Sequence, residues 1–494
     1  MASACAVACH ANALIFLTDV SGVKDADGLV IRWLDLGMAA ALTQKAVIAG
    51  GMLPKLQACK DALLHGVNRV RILPAAEVEA LPEFYFAKIE SGTEVLVATY
   101  DRYPVLLHKG RGVYLYDNKG RKYLDLLSGI GVNALGYAHP ALTKTIARQA
   151  KLLVHTSNLF YHEYQGRLAA ALTKISGMDR AFFTNSGTEA WEGALKLARA
   201  YAKADCAEGK EPKWRILALE HAFHGRTFGA LATTHKEKYR APFAPVVPGV
   251  EFVRFNDVAD LESKFDSTVC AIGFEFVQGE GGIRPVSQEF AEAAHKLARK
   301  HNALLIADEI QSGMGRTGKW FAYQNYGIQP DLVTVAKPIA GGLPLGALLA
   351  TEKVSACIHP GMHGTTFGGG PLACAVALQL IAVLEKEKML KHVRKVGDYF
   401  MEQLQKLQKK HPAIVAVRGQ GLMIGMELES SDAAKQIFQQ MLKLGTIVNR
   451  TDETVIRFLP PFIIKKHHID TAVQQLDQVL AQSTKTAAIA GRNK

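Results

Sequence analysis

Between about residues 140 and 350, stretches with helical spacing alternate with short apolar runs, and no other feature of the chain limits its possible folds so strongly. Apolar residues at every third or fourth position make one face of a helix, whereas an unbroken apolar run of about four to eight residues suits a strand covered on both faces. The plainest runs are 215–219, 271–276, 304–307 and 332–336. Doubly buried strands separated by helices form a mostly parallel sheet, so the expected fold class is α/β. Ligands of such sheets sit outside the carboxyl ends of the strands. The chemistry should therefore lie just after each run.

Residues 304–307 deliver Asp308-Glu309-Ile310-Gln311, and 332–336 deliver Lys337 ahead of Pro338-Ile339-Ala340-Gly341-Gly342. A lysine this deep loses water, which lowers the pKa of its amine and frees it for imine formation. A nearby carboxylate can keep a pyridine nitrogen protonated and so make the ring an electron sink. Upstream, the strand-like 180–184 leads through Asn185-Ser186-Gly187-Thr188-Glu189 into a helix with Trp191, Leu195 and Ala198 on one face. That turn offers N–H groups and hydroxyls to a phosphate, although an ordinary helix N-cap uses the same residues. Asp308 as a helix cap and Lys337 as a strand-end lysine are the plain alternatives. All three features together favour a cofactor site. Phe223-His224-Gly225-Arg226 adds a ring that can stack and a guanidinium that can take a carboxylate, with His224 read as a packed histidine. Glu280 among its glycines, the loop 363–369 and Arg457 are further polar groups in loops, where binding residues concentrate.

Several function classes drop out. Net charge +12 and a pI near 9.2 suit anionic ligands, but the basic residues are spread through mixed-charge helices with no tract interleaved with aromatics, so no nucleic acid is expected. No apolar run approaches the roughly 18 residues of a membrane span, and Lys24 comes too late for a signal peptide, so a cytoplasmic protein is expected. Seven scattered cysteines show no zinc or CxxC spacing. Cys5, Cys9 and His10 lack a second ligand pair, and no metal is expected. Gly419-Gln420-Gly421 with Gly425 has the wrong spacing for a dinucleotide loop, and a strand follows where a helix is needed.

From about Tyr103 into the 480s, nearly four-fifths of its length, the chain resembles the class III aminotransferases, and among them those that act on acetylornithine. The resemblance is carried by 128–136, 155–161, Phe223-His224-Gly225-Arg226-Thr227, Val277-Gln278-Gly279-Glu280-Gly281, Asp308-Glu309-Ile310-Gln311 and Arg457-Phe458-Leu459-Pro460-Pro461. It implies a fold-type I transferase dependent on pyridoxal 5'-phosphate. Lys337 would be the Schiff-base lysine, Asp308 the partner of the pyridine nitrogen and Phe223 the stacking ring. Glu309, Ile310 and Gln311 would join them around the cofactor. Gly187 and Thr188 would hold the phosphate with Thr366 of a neighbouring subunit, Arg226 and Thr365 would touch the amino donor, and Glu280 would pair with an Arg457 that opens for glutamate. It further implies a homodimer, 2-oxoglutarate as acceptor and a step of arginine biosynthesis. Ornithine, succinylornithine and 4-aminobutyrate are the alternative donors. Ile130 stands where ornithine-specific relatives tend to have tyrosine, while Tyr103 matches them. Gly370, where Asn is usual, and Phe276, where Pro is usual, depart from the pattern and should alter loop stability before activity.

The first 95 residues resemble something else, the carboxy-terminal part of the acetylglutamate kinases, through 12–23, 50–55 and 92–94. Lys55 would correspond to a phosphate-facing lysine. The glycine-rich half of that family is not found in the chain, so kinase activity is not expected. The expected organisation is 1–95 kinase-like fragment, 96–140 amino-terminal segment, 141–375 large cofactor domain, 376–483 small α+β domain and 484–494 tail.

Overall fold

The computed structural model describes residues 13–18, 23, 36–45, 47, 52–65, 67, 69–74, 95–97 and 99–492. The chain divides into two compact units, Met1–Leu107 and His108–Lys494. In the first, strand Ala13–Thr18 pairs in parallel with Arg69–Pro74, and helices Leu36–Gln44 and Met52–Leu64 lie between them in sequence. A hairpin is expected from 13–28, but Ala13–Thr18 pairs with a strand more than fifty residues later, and most of 19–35 lies outside the described residues. The same holds for Cys5, Cys9, His10 and 92–94.

The second unit is built on a seven-stranded sheet. Its strands are β1 (Arg180–Thr184), β2 (Arg215–Leu219), β3 (Val250–Val253), β4 (Val269–Phe274), β5 (Leu304–Asp308), β6 (Leu332–Val335) and β7 (Gly346–Ala350). They lie in the order β1-β7-β6-β5-β4-β2-β3, and only β7 runs against its neighbours. Every residue of β4, β5, β6 and β7 is buried, which is why these runs carry no polar alternation. Because β1 and β6 both oppose β7, six strands point the same way. Their carboxyl ends share one edge of the sheet.

Helices cover both faces. The helix α1 (Gly187–Ala204) buries Trp191, Ala194, Leu195 and Ala198, the face read from their spacing. Another, α2 (Pro371–Lys386), begins at Gly370 with no side-chain cap, where an asparagine would supply one. Phe276 is fully buried and packs 4.9 Å from Phe274 and 5.0 Å from Tyr326, ring centre to ring centre, so it fills an aromatic cluster where a proline would leave space.

A smaller antiparallel sheet orders Ile414–Gln420, Met423–Leu428, Val455–Phe458 and Asn449–Thr451. Gly419 and Gly421 turn its first hairpin, and a side chain on Gly421 would lie 2.6 Å from the Arg316 carbonyl, so these glycines serve close packing. The strand Thr446–Ile447 pairs in parallel with Lys122–Asp125 in a separate sheet, which ties the segment before residue 140 to the chain leading into Asn449–Thr451. The last helix is Lys466–Arg492, and its bounds take in most of the stretch expected to be a loose tail. No helix among the described residues is long and apolar enough to cross a membrane.

Candidate active site

Five of the parallel carboxyl ends converge on one cavity of about 420 Å³. β1 brings Gly187 and Thr188, β2 leads to Phe223, β4 to Glu275, β5 ends on Asp308 and β6 is followed by Lys337. Lys337 has φ +39°, a left-handed backbone that a lysine adopts only under constraint from its surroundings. The fully buried β6 on one side and Pro338 and Ile339 on the other supply that constraint. Burial pulls the amine of Lys337 below the ordinary lysine range, against the opposing pull of the Asp308 and Glu280 carboxylates.

Asp308 is 3% exposed, and its Oδ2 lies 2.6 Å from His224 Nδ1. A carboxylate only accepts, so Nδ1 carries the hydrogen. The imidazole stacks on Trp191, with ring centres 3.8 Å apart and planes 6° from parallel, while Trp191 Nε1 donates to Thr233 Oγ1 at 2.8 Å. The backbone N–H of Ile310 donates to the other Asp308 oxygen at 3.0 Å. Asp308 is therefore held from behind with its front toward the cavity. The sequence alone reads His224 as a packing residue. It does pack, but against the one carboxylate whose orientation matters.

The turn after β1 serves as an N-cap and an anion cradle together. Ser186 Oγ accepts from Glu189 N at 3.3 Å, and the intrahelical ladder begins with Ala190 N to Ser186 O at 3.1 Å. The N–H groups of Gly187 and Thr188 precede that ladder. A Cβ on Gly187 would meet Ile310 Cγ2 at 2.8 Å, so only glycine keeps this part of the cavity open. Thr188 Oγ1 bonds Thr227 Oγ1 at 2.9 Å. Phe223 lines the cavity, and the exposed Arg226 lies over its ring at 5.5 Å and over Tyr239 at 3.8 Å.

Glu275 has no counterpart among the sequence-derived candidates, since a lone glutamate after a strand carries no signal. It is 5% exposed and accepts from Phe223 N at 3.1 Å and Gly279 N at 2.7 Å. Burial, reinforced by the Asp308 charge, pushes its carboxyl up to about 8. Glu309 is buried too, but away from the cavity: Tyr323 N donates to one oxygen at 2.9 Å and Ser312 Oγ to the other at 2.7 Å. Expected as a cofactor residue, it instead pins the following loop. Ile310 and Gln311 do line the cavity.

Arg457, 1% exposed, donates from Nη1 to Glu280 Oε1 at 2.6 Å and to Gln311 Oε1 at 3.2 Å, and from Nε to Asn449 Oδ1 at 2.8 Å. Burial would raise the Glu280 carboxyl, but the guanidinium overrides it and holds Glu280 below the usual range. Thr365 Oγ1 accepts from Asn185 Nδ2 at 3.2 Å. Thr366 is exposed, and this chain does not bring it to its own cavity. Lys55 lies in the first turn of the helix Met52–Leu64, in the other unit.

These residues fit a phosphorylated pyridine aldehyde. A desolvated amine suits an aldehyde carbon, a buried carboxylate suits a ring nitrogen, Phe223 offers a face, and the glycine-floored turn suits a phosphate. The Aminotransferase class-III family profile matches residues 96–480, and the amino acid kinase family profile matches residues 1–74. Acetylornithine aminotransferases of Caldanaerobacter subterraneus and Methanocaldococcus jannaschii are 45% and 46% identical over 78% of this chain, covering 97% and 96% of their own lengths. The ornithine aminotransferase of Toxoplasma gondii superposes with a TM-score of 0.78 at 31% identity, covering 83% of this chain and 98% of that one. Acetylornithine aminotransferase from Elizabethkingia anophelis does so with a TM-score of 0.71 at 31% identity, covering 81% and 98%. With its cavity laid out for pyridoxal phosphate, this chain belongs to the class III aminotransferases.

Proposed function

We propose that the chain transfers the δ-amino group of N2-acetyl-L-ornithine to 2-oxoglutarate, giving N-acetyl-L-glutamate 5-semialdehyde and L-glutamate as a step of arginine biosynthesis in the cytoplasm. The Glu280–Arg457 pair carries this reading. Locked together, the two side chains present a nearly neutral wall; parted, they present a cation. A donor with one carboxylate is served by Arg226 alone, whereas 2-oxoglutarate and glutamate bring a second carboxylate and need Arg457. One cavity can thus accept both partners in turn. The donor's identity rests on the names of the bacterial and archaeal relatives.

Bound pyridoxal phosphate supplies an aldehyde that exchanges amines and a protonated ring that takes up electrons. Lys337, its amine held below the ordinary lysine range by burial, would anchor the aldehyde and would serve as the base that moves a proton at the donor's Cδ. Asp308 holds positive charge at the ring nitrogen, and His224 with Trp191 fixes the direction in which it points. Phe223 shields the ring face from water, while Gly187 and Thr188 anchor the phosphate. On this reading residues 141–375 carry the cofactor and 376–483 the arginine that answers the acceptor.

A homodimer belongs to the same proposal. Leu159, Phe160 and Tyr161 are 88%, 68% and 106% exposed, and they adjoin the loop of Thr366 through Asn158 Nδ2, which donates to Thr365 O at 3.1 Å. An apolar patch of this kind invites a partner. A second copy covering it would receive Thr366 at its own phosphate cradle.

The visible spectrum of the cofactor-loaded protein tests the reaction. N-acetylornithine without acceptor should remove the long-wavelength band, and 2-oxoglutarate should restore it, with parallel double-reciprocal plots in the steady state. Conversion by ornithine, succinylornithine or 4-aminobutyrate in its place would reassign the donor, and intersecting plots would exclude the two-stage scheme.

A further inference from the structure

Opening the Glu280–Arg457 pair leaves a problem that the pair alone does not solve. Arg457 holds the Glu280 carboxyl below its usual range, and a partly buried carboxylate that loses its cation is disfavoured. When the acceptor's second carboxylate takes Arg457, Glu280 needs another positive partner. A candidate is held by the hairpin that carries Arg457 itself.

That hairpin pairs Asn449–Thr451 with Val455–Phe458 and turns at Asp452 and Glu453, both with positive φ. Thr451 Oγ1 donates to the main-chain oxygen of Glu280 at 2.9 Å and lies 3.4 Å from its Oε2. The next residue, Asp452, bridges two cations: its Oδ1 lies 3.3 Å from Lys236 Nζ and its Oδ2 3.2 Å from Arg284 Nη2. Its Cβ also packs against the loop of Glu280, since a side chain on Gly282 would meet it at 3.3 Å. Lys236, Asp452, Thr451 and Glu280 are therefore neighbours around one hairpin tip. The Lys236 charge already acts on Glu280 across that tip. Its contact with Asp452, at 3.3 Å, is longer than the 2.6 Å contact of Glu280 with Arg457.

We propose that Lys236 receives the Glu280 carboxylate whenever Arg457 is engaged by the acceptor, and that Asp452 holds Lys236 in reserve until then. The charges stay matched throughout. Before opening, Glu280 pairs with Arg457 and Asp452 with both Lys236 and Arg284; afterwards Glu280 pairs with Lys236, Arg457 with the acceptor, and Asp452 keeps Arg284. Lys236 and Asp452 are thus positioning residues that act on the acceptor half-reaction through Glu280. This inference rests on the transaminase reading above.

Opposite signs make it testable. Lys236→Met removes the receiving cation and should raise the 2-oxoglutarate concentration for half-maximal band recovery about fivefold, the scale of one partly exposed ion pair. Asp452→Asn frees Lys236 to compete for Glu280 and should lower that concentration. Lys236→Arg should behave as the unmodified protein, and all three should keep the N-acetylornithine half-reaction within about twofold. A general loosening of the hairpin would move Lys236→Met and Asp452→Asn the same way, and that result, or an unchanged acceptor dependence in Lys236→Met, overturns the proposal. Should the unmodified protein respond to neither substrate, the transaminase reading fails and takes this inference with it. If it completes both half-reactions while the variants match it, only the inference fails.

Discussion

Lys337 combines a strained backbone with a desolvated amine, and the two have different consequences. The strain fixes where the side chain leaves β6; the desolvation sets when its amine can take a proton. Lys337→Ala should reduce turnover about 10²- to 10⁴-fold, the range of a lost general base, while circular dichroism reports an intact fold. Glu275 contributes with the opposite sign to stability. Its carboxyl is raised in the folded protein from about 4.5 to about 8, so the native state holds a proton that the unfolded chain has released. Stability from this group is full at pH values below the unfolded pKa and is lost as pH rises toward 8. Melting curves of the cofactor-free protein should therefore show Glu275→Gln gaining on the unmodified chain between pH 5 and pH 8. A gap that stays constant would mean that Glu275 does not titrate in this window. The glutamine meets two N–H donors with one acceptor oxygen, so it carries a fixed penalty, and only the slope is diagnostic.

At the scale of elements, close approach decides what glycines are for. Gly397 sits inside the helix Met389–Lys410, where alanine is ordinarily the better helix former, yet a Cβ there would overlap the Gly421 carbonyl of the small-sheet hairpin. Gly397→Ala should cost about 1–3 kcal/mol in denaturant unfolding, in spite of the gain in helix propensity. Gly370 is the converse case. It stands at the N-cap of α2 without a side chain to accept from the first turn, and a Cβ on it would approach no atom closer than the Phe367 carbonyl oxygen at 3.3 Å. Gly370→Asn should stabilise by a few tenths of a kcal/mol, about the difference between those two residues as caps. A destabilised variant would show that the loop cannot admit the side chain.

The whole molecule raises the matter of its second copy. Light scattering should give twice the chain mass, and Phe160→Asp with Tyr161→Asp should yield a monomer that holds the cofactor more weakly, because Thr366 no longer reaches a partner's cradle. A monomeric unmodified protein with full cofactor affinity would refute the shared site. Residues 1–74 match another family and form, in the described part, a separate unit with a two-stranded parallel sheet. Nothing in the catalytic proposal draws on them.

Much of this was legible along the chain. Buried strands announce themselves as unbroken apolar runs because both faces need cover, so β2, β4, β5 and β6 could be placed within a few residues, and Asp308 and Lys337 followed from the rule that ligands meet strand ends. The antiparallel β7, the direction of Glu309, the clamp of Trp191 and His224 on Asp308, and the burial that raises Glu275 left no local signal. Each depends on which groups meet in space, as His224 does with Trp191 and Asp308 across sequence separations of 33 and 84 residues. Periodicity reports the face a residue presents, so the sequence alone determined the buried strands β2, β4, β5 and β6 and the residues at their ends. Only tertiary structure decided which of those residues touch, because hydrogen bonding and desolvation depend on distance in space.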